Sequence, residues 1–241
     1  MKFEELISPI GIERFNREFK GKKCLVIKSE ENIFKDYFSW RDLDNYLNQY
    51  KIGAWDRTPQ LQVVLPDGNK WCKKKSKEYK TRDELLKLWK DGSSFILTLS
   101  EFLTQEMWEQ CQEFEKHYGI GQANIYCSNN KEAKCFPIHA DSTDNFLFHV
   151  RGKIRWYIYK EFATKEYRPK DATLEKVIDL DEGDLLYIPK KKYHKVDTLS
   201  PRISISFHFR EPYEGKKSHS ETGARKKWYN WEPGEIYGRS K

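Results

Sequence analysis

Residues 136–148 read FPIHADSTDNFLF and residues 183–209 read GDLLYIPKKKYHKVDTLSPRISISFHF, and these two stretches decide how the chain is read. The first carries His139 and Asp141 two positions apart; the second supplies His194. On an extended strand, side chains at i and i+2 point to the same face, so His139 and Asp141 can reach one metal ion together. A third ligand from a distant strand, His194, would complete a set of two imidazoles and one carboxylate that leaves three neighbouring positions of an octahedral ion open. The spacing alone does not decide the matter. Six histidines in this chain also allow the pattern to be a strand histidine beside a turn aspartate. The surroundings favour the metal reading: Pro137 stands two residues ahead of His139, Asp141 opens the polar turn STDN, and the aromatic run FLFHV follows at once. Arg151-Gly152-Lys153 then reads as a turn into IRWYIYK, and Asp181-Glu182-Gly183-Asp184 as a tight turn into LLYIP.

Taken together, ANIYCSNN (123–130), FPIHADSTDNFLFHVRGKIRWYIY (136–159) and DEGDLLYIPKKKYHKV (181–196) resemble the JmjC-type branch of the cupin superfamily, the iron- and 2-oxoglutarate-dependent dioxygenases. The patterns are most similar to those of the ribosomal oxygenases and of the asparaginyl hydroxylase of the hypoxia pathway. The resemblance spans about Gln122 to Phe209 and extends more loosely to FKGKKCLVIK, FSWRDLDNYL and FILTLSEFL. It implies a mainly β fold with flanking helices around a double-stranded β-helix, the jelly-roll core of cupins. It also implies Fe(II) held by the catalytic set His139, Asp141 and His194, with 2-oxoglutarate as cosubstrate and O2 as oxidant. The expected reaction is hydroxylation of an amino-acid side chain in a protein. Two alternatives stay open: an oxygenase acting on a free amino acid or metabolite, and a metal-binding cupin that does not turn over 2-oxoglutarate.

In this family a basic residue holds the far carboxylate of 2-oxoglutarate, since a buried carboxylate needs a charged and preferably forked partner. Many members place that residue two positions after the glycine of the turn, where this chain has Ile154. Alternation offers a replacement. In PRISISFHF, Arg202, Ser204, Ser206 and His208 share one strand face, and Ile203, Ile205 and Phe207 the other. His208 matches the inward position at which the asparaginyl hydroxylase has an asparagine near its metal, which turns Arg202 inward as well. Prolyl hydroxylases and related dioxygenases use a basic residue from this strand. Arg202 is therefore the expected anchor, helped by Ser204, with Lys153 and Arg155 in reserve. Asn145 resembles an asparagine that contacts cosubstrate in the family, and Tyr126 lies on the strand leading to the metal turn. His149 shares its strand face with Asn145 and Leu147; with three ligands already assigned, His149 and His208 are expected to sit behind the metal shell or in the core.

The chain has 241 residues, enough for one generous domain or a core with additions. Its net charge of +7 is spread among 37 acids, which permits a nucleic-acid partner without requiring one. Five cysteines without C-x-x-C spacing argue against a disulfide frame or a structural zinc site. No signal peptide or long apolar run is visible, so the expectation is a soluble intracellular protein. Three parts are expected: residues 1–120, helices and strands packing on the barrel; 121–210, the β-helix core with at least six strands; and 211–241, a basic aromatic tail. Ser8-Pro9 predicts the start of a helix over IGIERFNREF, and Ser39 caps WRDLDNYLNQ. Pro66-Asp67-Gly68 ends the strand LQVVL, the run KKKSK (73–77) reads as a solvated loop, and Thr81 opens a helix closed by Gly92. Residues 104–118 predict an amphipathic helix with Met107, Trp108, Cys111 and Phe114 near one stripe. In the tail, Trp228, Tyr229, Trp231 and Tyr237 are expected to pack over the barrel mouth or an N-terminal helix rather than to bind nucleic acid, with His219 at the surface.

Overall fold

The computed structural model describes residues 1–49, 60–65, 82–133, 135–164 and 169–210. The expectations for Pro66-Asp67-Gly68, for the KKKSK run, for Thr81 and for the tail from residue 211 lie outside these residues. Five α-helices are described: α1 (Phe3–Leu6), α2 (Ile12–Glu18), α3 (Trp40–Gln49), α4 (Arg82–Lys90) and α5 (Gln105–Glu115). The strands are β1 (Leu25–Ile27), β2 (Gln60–Val64), β3 (Ser94–Thr98), β4 (Ile120–Ser128), β5 (Asn145–Arg151), β6 (Ile154–Phe162), β7 (Leu174–Leu180), β8 (Leu185–Ile188), β9 (Lys192–Thr198) and β10 (Arg202–Arg210). They form a seven-stranded sheet in the order β1-β8-β5-β10-β4-β3-β2 and a three-stranded sheet in the order β7-β6-β9. Every described pairing is antiparallel. The fold is therefore the mainly β architecture with flanking helices that the sequence implied. Helices before β4 place Phe3, Phe15 and Phe114 in one cluster with side chains of β5 and β10, and β1, β2 and β3 join the larger sheet.

Helix starts follow local chemistry. The Ser39 hydroxyl accepts from the Asp42 N–H, while the Asp42 carboxylate accepts from the Ser39 N–H at 2.8 Å, a reciprocal cap at the head of α3. Thr104 caps α5 by accepting from the Met107 N–H at 3.3 Å. The Ser8-Pro9 expectation places a helix too early: α2 begins at Ile12 behind Gly11, whose φ of +80° breaks the chain direction after the separate short helix α1. On α5, Met107, Cys111 and Phe114 are buried, whereas Trp108 leaves the stripe and stacks on the exposed Phe102.

Period-two alternation divides the central strands into two faces. From β5, Phe146, Phe148 and Val150 point to the helices; from β10, Ile203, Ile205, Phe207 and Phe209 do the same. These side chains build an outer core with Phe3, Phe15 and Phe114. Phe114 touches Phe146, Phe148, Phe207 and Phe209 at ring-centroid separations of 4.9 to 6.1 Å, tilted in the way aromatic quadrupoles favour. The opposite faces enclose a smaller inner core of Leu147, Ile154, Trp156, Ile158, Ile178, Leu180, Leu186, Ile188 and Val196 between the two sheets.

One polar element fixes the corner between β5 and β6. His149 is buried and offers Nε2–H to the Gly152 carbonyl at 2.8 Å, which requires the neutral Nε2-H tautomer, so Nδ1 accepts from the Ser204 hydroxyl at 3.0 Å. Gly152 has a φ of +78°, and a Cβ there would run into the Pro201 carbonyl. Gly21 shares the left-handed conformation at +69° but faces open space. We expect Gly152→Ala to lower unfolding free energy by about 3 kcal/mol or more, and Gly21→Ala by only about 1 kcal/mol, measured by urea denaturation.

Burial pushes the His149 pKa down to about 4, the Arg202 charge adds to the shift, and the Gly152 bond only partly opposes it. The unfolded chain takes up this proton near pH 6.5. Between that value and about 4 the unfolded state therefore binds more protons than the folded one, and stability falls as pH drops through the window. The expected loss from this residue is about 3 kcal/mol. Equilibrium unfolding of His149→Gln across the same pH range should show a correspondingly shallower fall than the parent protein.

Candidate metal centre

His139 and Asp141 do not lie on a regular strand as the sequence reading expected. The chain from 135 to 144 is irregular, and only His139 pairs, through an isolated antiparallel bridge to His194 on β9. The two residues exchange backbone hydrogen bonds, His139 N to His194 O at 3.0 Å and His194 N to His139 O at 2.8 Å. Pro137 brings no N–H to a ladder, and the STDN turn leaves the sheet directly afterwards. Asp141 is pinned by a different contact: its carbonyl accepts from the Lys191 N–H at 2.6 Å, and Lys191 adopts a φ of +65° to deliver it. Two backbone clamps onto the start of β9 thus do what strand geometry was expected to do.

The result is convergence. Donor atoms of His139, Asp141 and His194 all lie within 4.8 Å of one another, and His194 Nε2 stands 3.5 Å from Asp141 Oδ2. Each imidazole gives its Nδ1–H to a backbone carbonyl, His139 to Pro137 at 2.8 Å and His194 to Lys192 at 2.9 Å. Both Nε2 lone pairs are thereby left for the shared centre, the tautomer a metal requires. Burial, and the neighbouring His139, push His194 down to about 4 and hold it in the neutral, ligating form. Asn145 Nδ2 donates to Asp141 Oδ2 at 2.7 Å and its Oδ1 accepts from Ser206 Oγ at 3.1 Å, so β5 and β10 together orient the carboxylate. A second grouping of Glu4, Glu113 and His117 lies among the helices, where Glu113 is already engaged by the Phe3 N–H and by Lys116.

The three converging side chains open into a cavity between the two sheets, about 580 Å³ with the open solvent at its mouth included. Tyr126, Asn145, Arg202, Ser204 and Ser206 line it, as does Trp156. His149 reaches it only through Ser204. His208 lies apart from this cavity, in an adjoining polar pocket lined by Gln122, Asn124, Tyr126, Asp141, Ser142, Thr143, Asn145, Ser206 and His208. Burial and the nearby Asp141 push the Tyr126 phenol up to about 12, so it acts as a hydrogen-bonding group and not as a base.

Arg202 lies on the inner face of β10 and is only 3% exposed. Its guanidinium reaches Ser128 Oγ at 3.4 Å, Ser204 Oγ at 3.5 Å and Cys135 Sγ at 3.3 Å. No carboxylate among the described residues pairs with it. Ile154, fully buried, fills the inner core at the position where relatives were expected to carry a basic residue. The two reserve anchors turn outward: Lys153 bonds Asp181 at 2.7 Å and Arg155 grips Asp179 through two bonds of 2.7 Å. Lys192 is buried but already neutralised by Glu175 at 2.6 Å.

Trp156 and Cys135 are among the cavity residues that the sequence reading missed. Trp156 follows Ile154 on the same face of β6, so alternation could have found it; its indole Nε1 is buried with no hydrogen-bond partner among the described residues. Cys135 sits in the irregular run before His139, where no periodicity operates.

Residues 98–216 match the family model described as the JmjC domain. The bifunctional lysine-specific demethylase and histidyl-hydroxylase NO66 of Dictyostelium discoideum is 29% identical over 223 residues, covering 84% of this chain and 41% of that protein. Ribosomal oxygenase 2 of Rattus norvegicus is 29% identical over 213 residues, covering 82% and 44%. The chain thus spans less than half the length of these curated relatives. Among solved structures, the Escherichia coli ribosomal oxygenase YcfD superposes with a TM-score of 0.61 at 19% identity, covering 83% of this chain and 51% of that one. The same protein in complex with cobalt and 2-oxoglutarate gives 0.59 at 17% identity, covering 92% and 63%. At this identity the likeness speaks for the fold. Residues 98–216, in which two histidines and an aspartate converge between the two sheets, are thus the part of the chain that matches the JmjC domain.

Proposed function

We propose that the chain is an Fe(II)- and 2-oxoglutarate-dependent oxygenase that hydroxylates an amino-acid side chain in a protein. The observation that carries this reading is Arg202, an almost fully buried guanidinium with no carboxylate partner among the described residues, placed in the same cavity as His139, Asp141 and His194. An unpaired buried charge costs several kcal/mol, which an anionic ligand offsets. Trp156 also lines this cavity, and its buried indole N–H has no acceptor among the described residues. Both features fit a small dicarboxylate.

His139, Asp141 and His194 would hold the iron, and their donor set of two imidazoles and one carboxylate suits Fe(II) with positions left open. When bound, the iron and 2-oxoglutarate supply the oxidative chemistry with O2, giving succinate, CO2 and an oxygen atom for a C–H bond. The chain does the rest. Arg202 takes the far carboxylate, and Ser204 supports it by accepting from the guanidinium and donating to His149. Asn145 keeps Asp141 aimed at the metal. Apolar walls from Leu147, Ile188 and Val196 exclude water from the dicarboxylate end. The adjoining pocket of Gln122, Asn124, Tyr126 and His208 presents polar side chains beside Asp141, where an amide or imidazole of a substrate would find partners.

A protein substrate, ribosomal among the candidates, is supported by the names of the relatives, ribosomal oxygenases and histidyl-hydroxylases. Among the described residues no helix is long and apolar enough to cross a membrane.

The test is anaerobic titration of Fe(II)-loaded protein with 2-oxoglutarate, following the weak visible charge-transfer band. Arg202→Ala should require roughly 30-fold more cosubstrate, the lower range for truncating one member of a buried charged pair. Metal binding without any band would overturn the assignment. Incubation with cell extract, O2 and cosubstrate should add about 16 Da to a protein residue, the mark of oxygen insertion; transfer only to small molecules would reject the protein-directed part. Asn145→Ala should weaken Co(II) binding by roughly 10- to 100-fold in calorimetric titration, because the carboxylate loses its orienting bond.

A further inference from the structure

Four cysteines are described, and three of them are walled off from the cavity. Cys111 and Cys127 are fully buried in the outer core. Cys24 packs against the inner core, where burial pushes its thiol up to about 12. Cys135 is different: it is half-buried, it lines the cavity, and its sulfur meets Arg202 Nη2 at 3.3 Å and Thr198 Oγ1 at 3.4 Å.

We propose that Cys135 is a covalent modification site in this cavity, taking peroxide and small electrophiles that carry a carboxylate, and that its modification closes Arg202 to any other anion. Two independent features point to an anionic visitor at this thiol. Arg202 is almost fully buried with no carboxylate partner among the described residues, and Trp156, whose buried Nε1–H has no hydrogen-bond partner among them, lines the same cavity. A buried cation draws small anions into a low-dielectric cleft and raises their encounter rate. Partial exposure beside a fixed positive charge is also the setting in which thiols are oxidised selectively.

The chemistry balances with the named reagents. With hydrogen peroxide, an S–O bond forms and the O–O bond breaks. The sulfur loses two electrons to give the sulfenic acid, and the second oxygen leaves as water with the thiol proton. Two equivalents of an external thiol return the cysteine, releasing a disulfide and water. With iodoacetate, an S–C bond forms, iodide leaves and the thiol proton passes to solvent. The group added to the sulfur, a hydroxyl in one product and a carboxymethyl in the other, would bring an oxygen to the Arg202 guanidinium that the thiol already meets. The consequence for cosubstrate rests on the reading above, in which Arg202 takes the far carboxylate.

The experiment compares iodoacetate with iodoacetamide on the full chain. Labelling rates at each cysteine are read by peptide mass mapping and normalised to the rate of each reagent with glutathione. Cys135 should favour the anionic reagent by roughly ten-fold, the low end of electrostatic steering. Cys24 in the same samples should show no preference. Arg202→Gln should abolish the preference and Arg202→Lys retain part of it, the second variant serving where the first fails to fold. Peroxide should add one oxygen to Cys135, removable with dithiothreitol. Equal normalised rates at Cys135, or a preference that survives Arg202→Gln, would overturn the proposal. The link to cosubstrate is read separately, through protection by 2-oxoglutarate. Preference for iodoacetate without such protection would uphold the modification site and reject the cosubstrate role of Arg202. Tight 2-oxoglutarate binding without any preference would uphold that role and reject the modification site.

Discussion

Strand β10 carries two opposed sets of side chains on a backbone hydrogen-bonded along both edges, to β4 and to β5. One set, Ile203, Ile205, Phe207 and Phe209, is driven into the aromatic core beneath the helices. The other, Arg202, Ser204 and Ser206, is thereby forced into the cavity. The hydrophobic effect acting on the first set is thus what positions the second. A slip of one residue would send a guanidinium into the ring cluster of Phe114 and leave the cavity lined with isoleucine. The register of this strand therefore sets the polarity of the whole interior.

Polar groups on that inner face are not isolated but arranged in two relays that start from β10. One runs from Arg202 through Ser204 and His149 to the Gly152 carbonyl, tying the cavity to the turn between β5 and β6. The other runs from Ser206 through Asn145 to Asp141. Burial makes each bond expensive to break, because no water waits to replace a lost partner. The relays end differently. The second terminates at a carboxylate, whereas the first begins at a cation with no counter-ion among the described residues, and that imbalance is the feature a dicarboxylate would correct. It also explains why the thiol of Cys135, on the same guanidinium, sits in a field that favours anions.

The candidate metal ligands depend on backbone clamps more than on side-chain packing. His139 is held by one bridge to His194, and Asp141 by the left-handed Lys191. An irregular loop fastened at two points can aim side chains at angles that a pleated strand does not offer. The strain of a non-glycine residue at positive φ is tolerated here because the neighbouring strands over-determine it.

How much of this was legible in the sequence can be argued residue by residue. Alternation in PRISISFHF was enough to group Arg202 with Ser204, Ser206 and His208, and the spacing of His139, Asp141 and His194 marked three residues that do converge. The two turns with Gly152 and Gly183, both at positive φ, were legible because only glycine enters that region freely. What the sequence could not decide depends on contacts between residues far apart in the chain. Nothing local says that Lys153 and Arg155 would be spent on Asp181 and Asp179, that Arg202 would find no carboxylate among the described residues, or that Cys135 would arrive beside it. The bridge that replaces a strand at His139 is likewise invisible, since it joins residues 55 positions apart whose pairing exists only once β9 is in place. Period and turn chemistry are local properties of the chain, and so the sequence by itself determined the faces and corners of the sheets. Charge balance and cavity lining depend on which elements meet, and those only the tertiary structure decided.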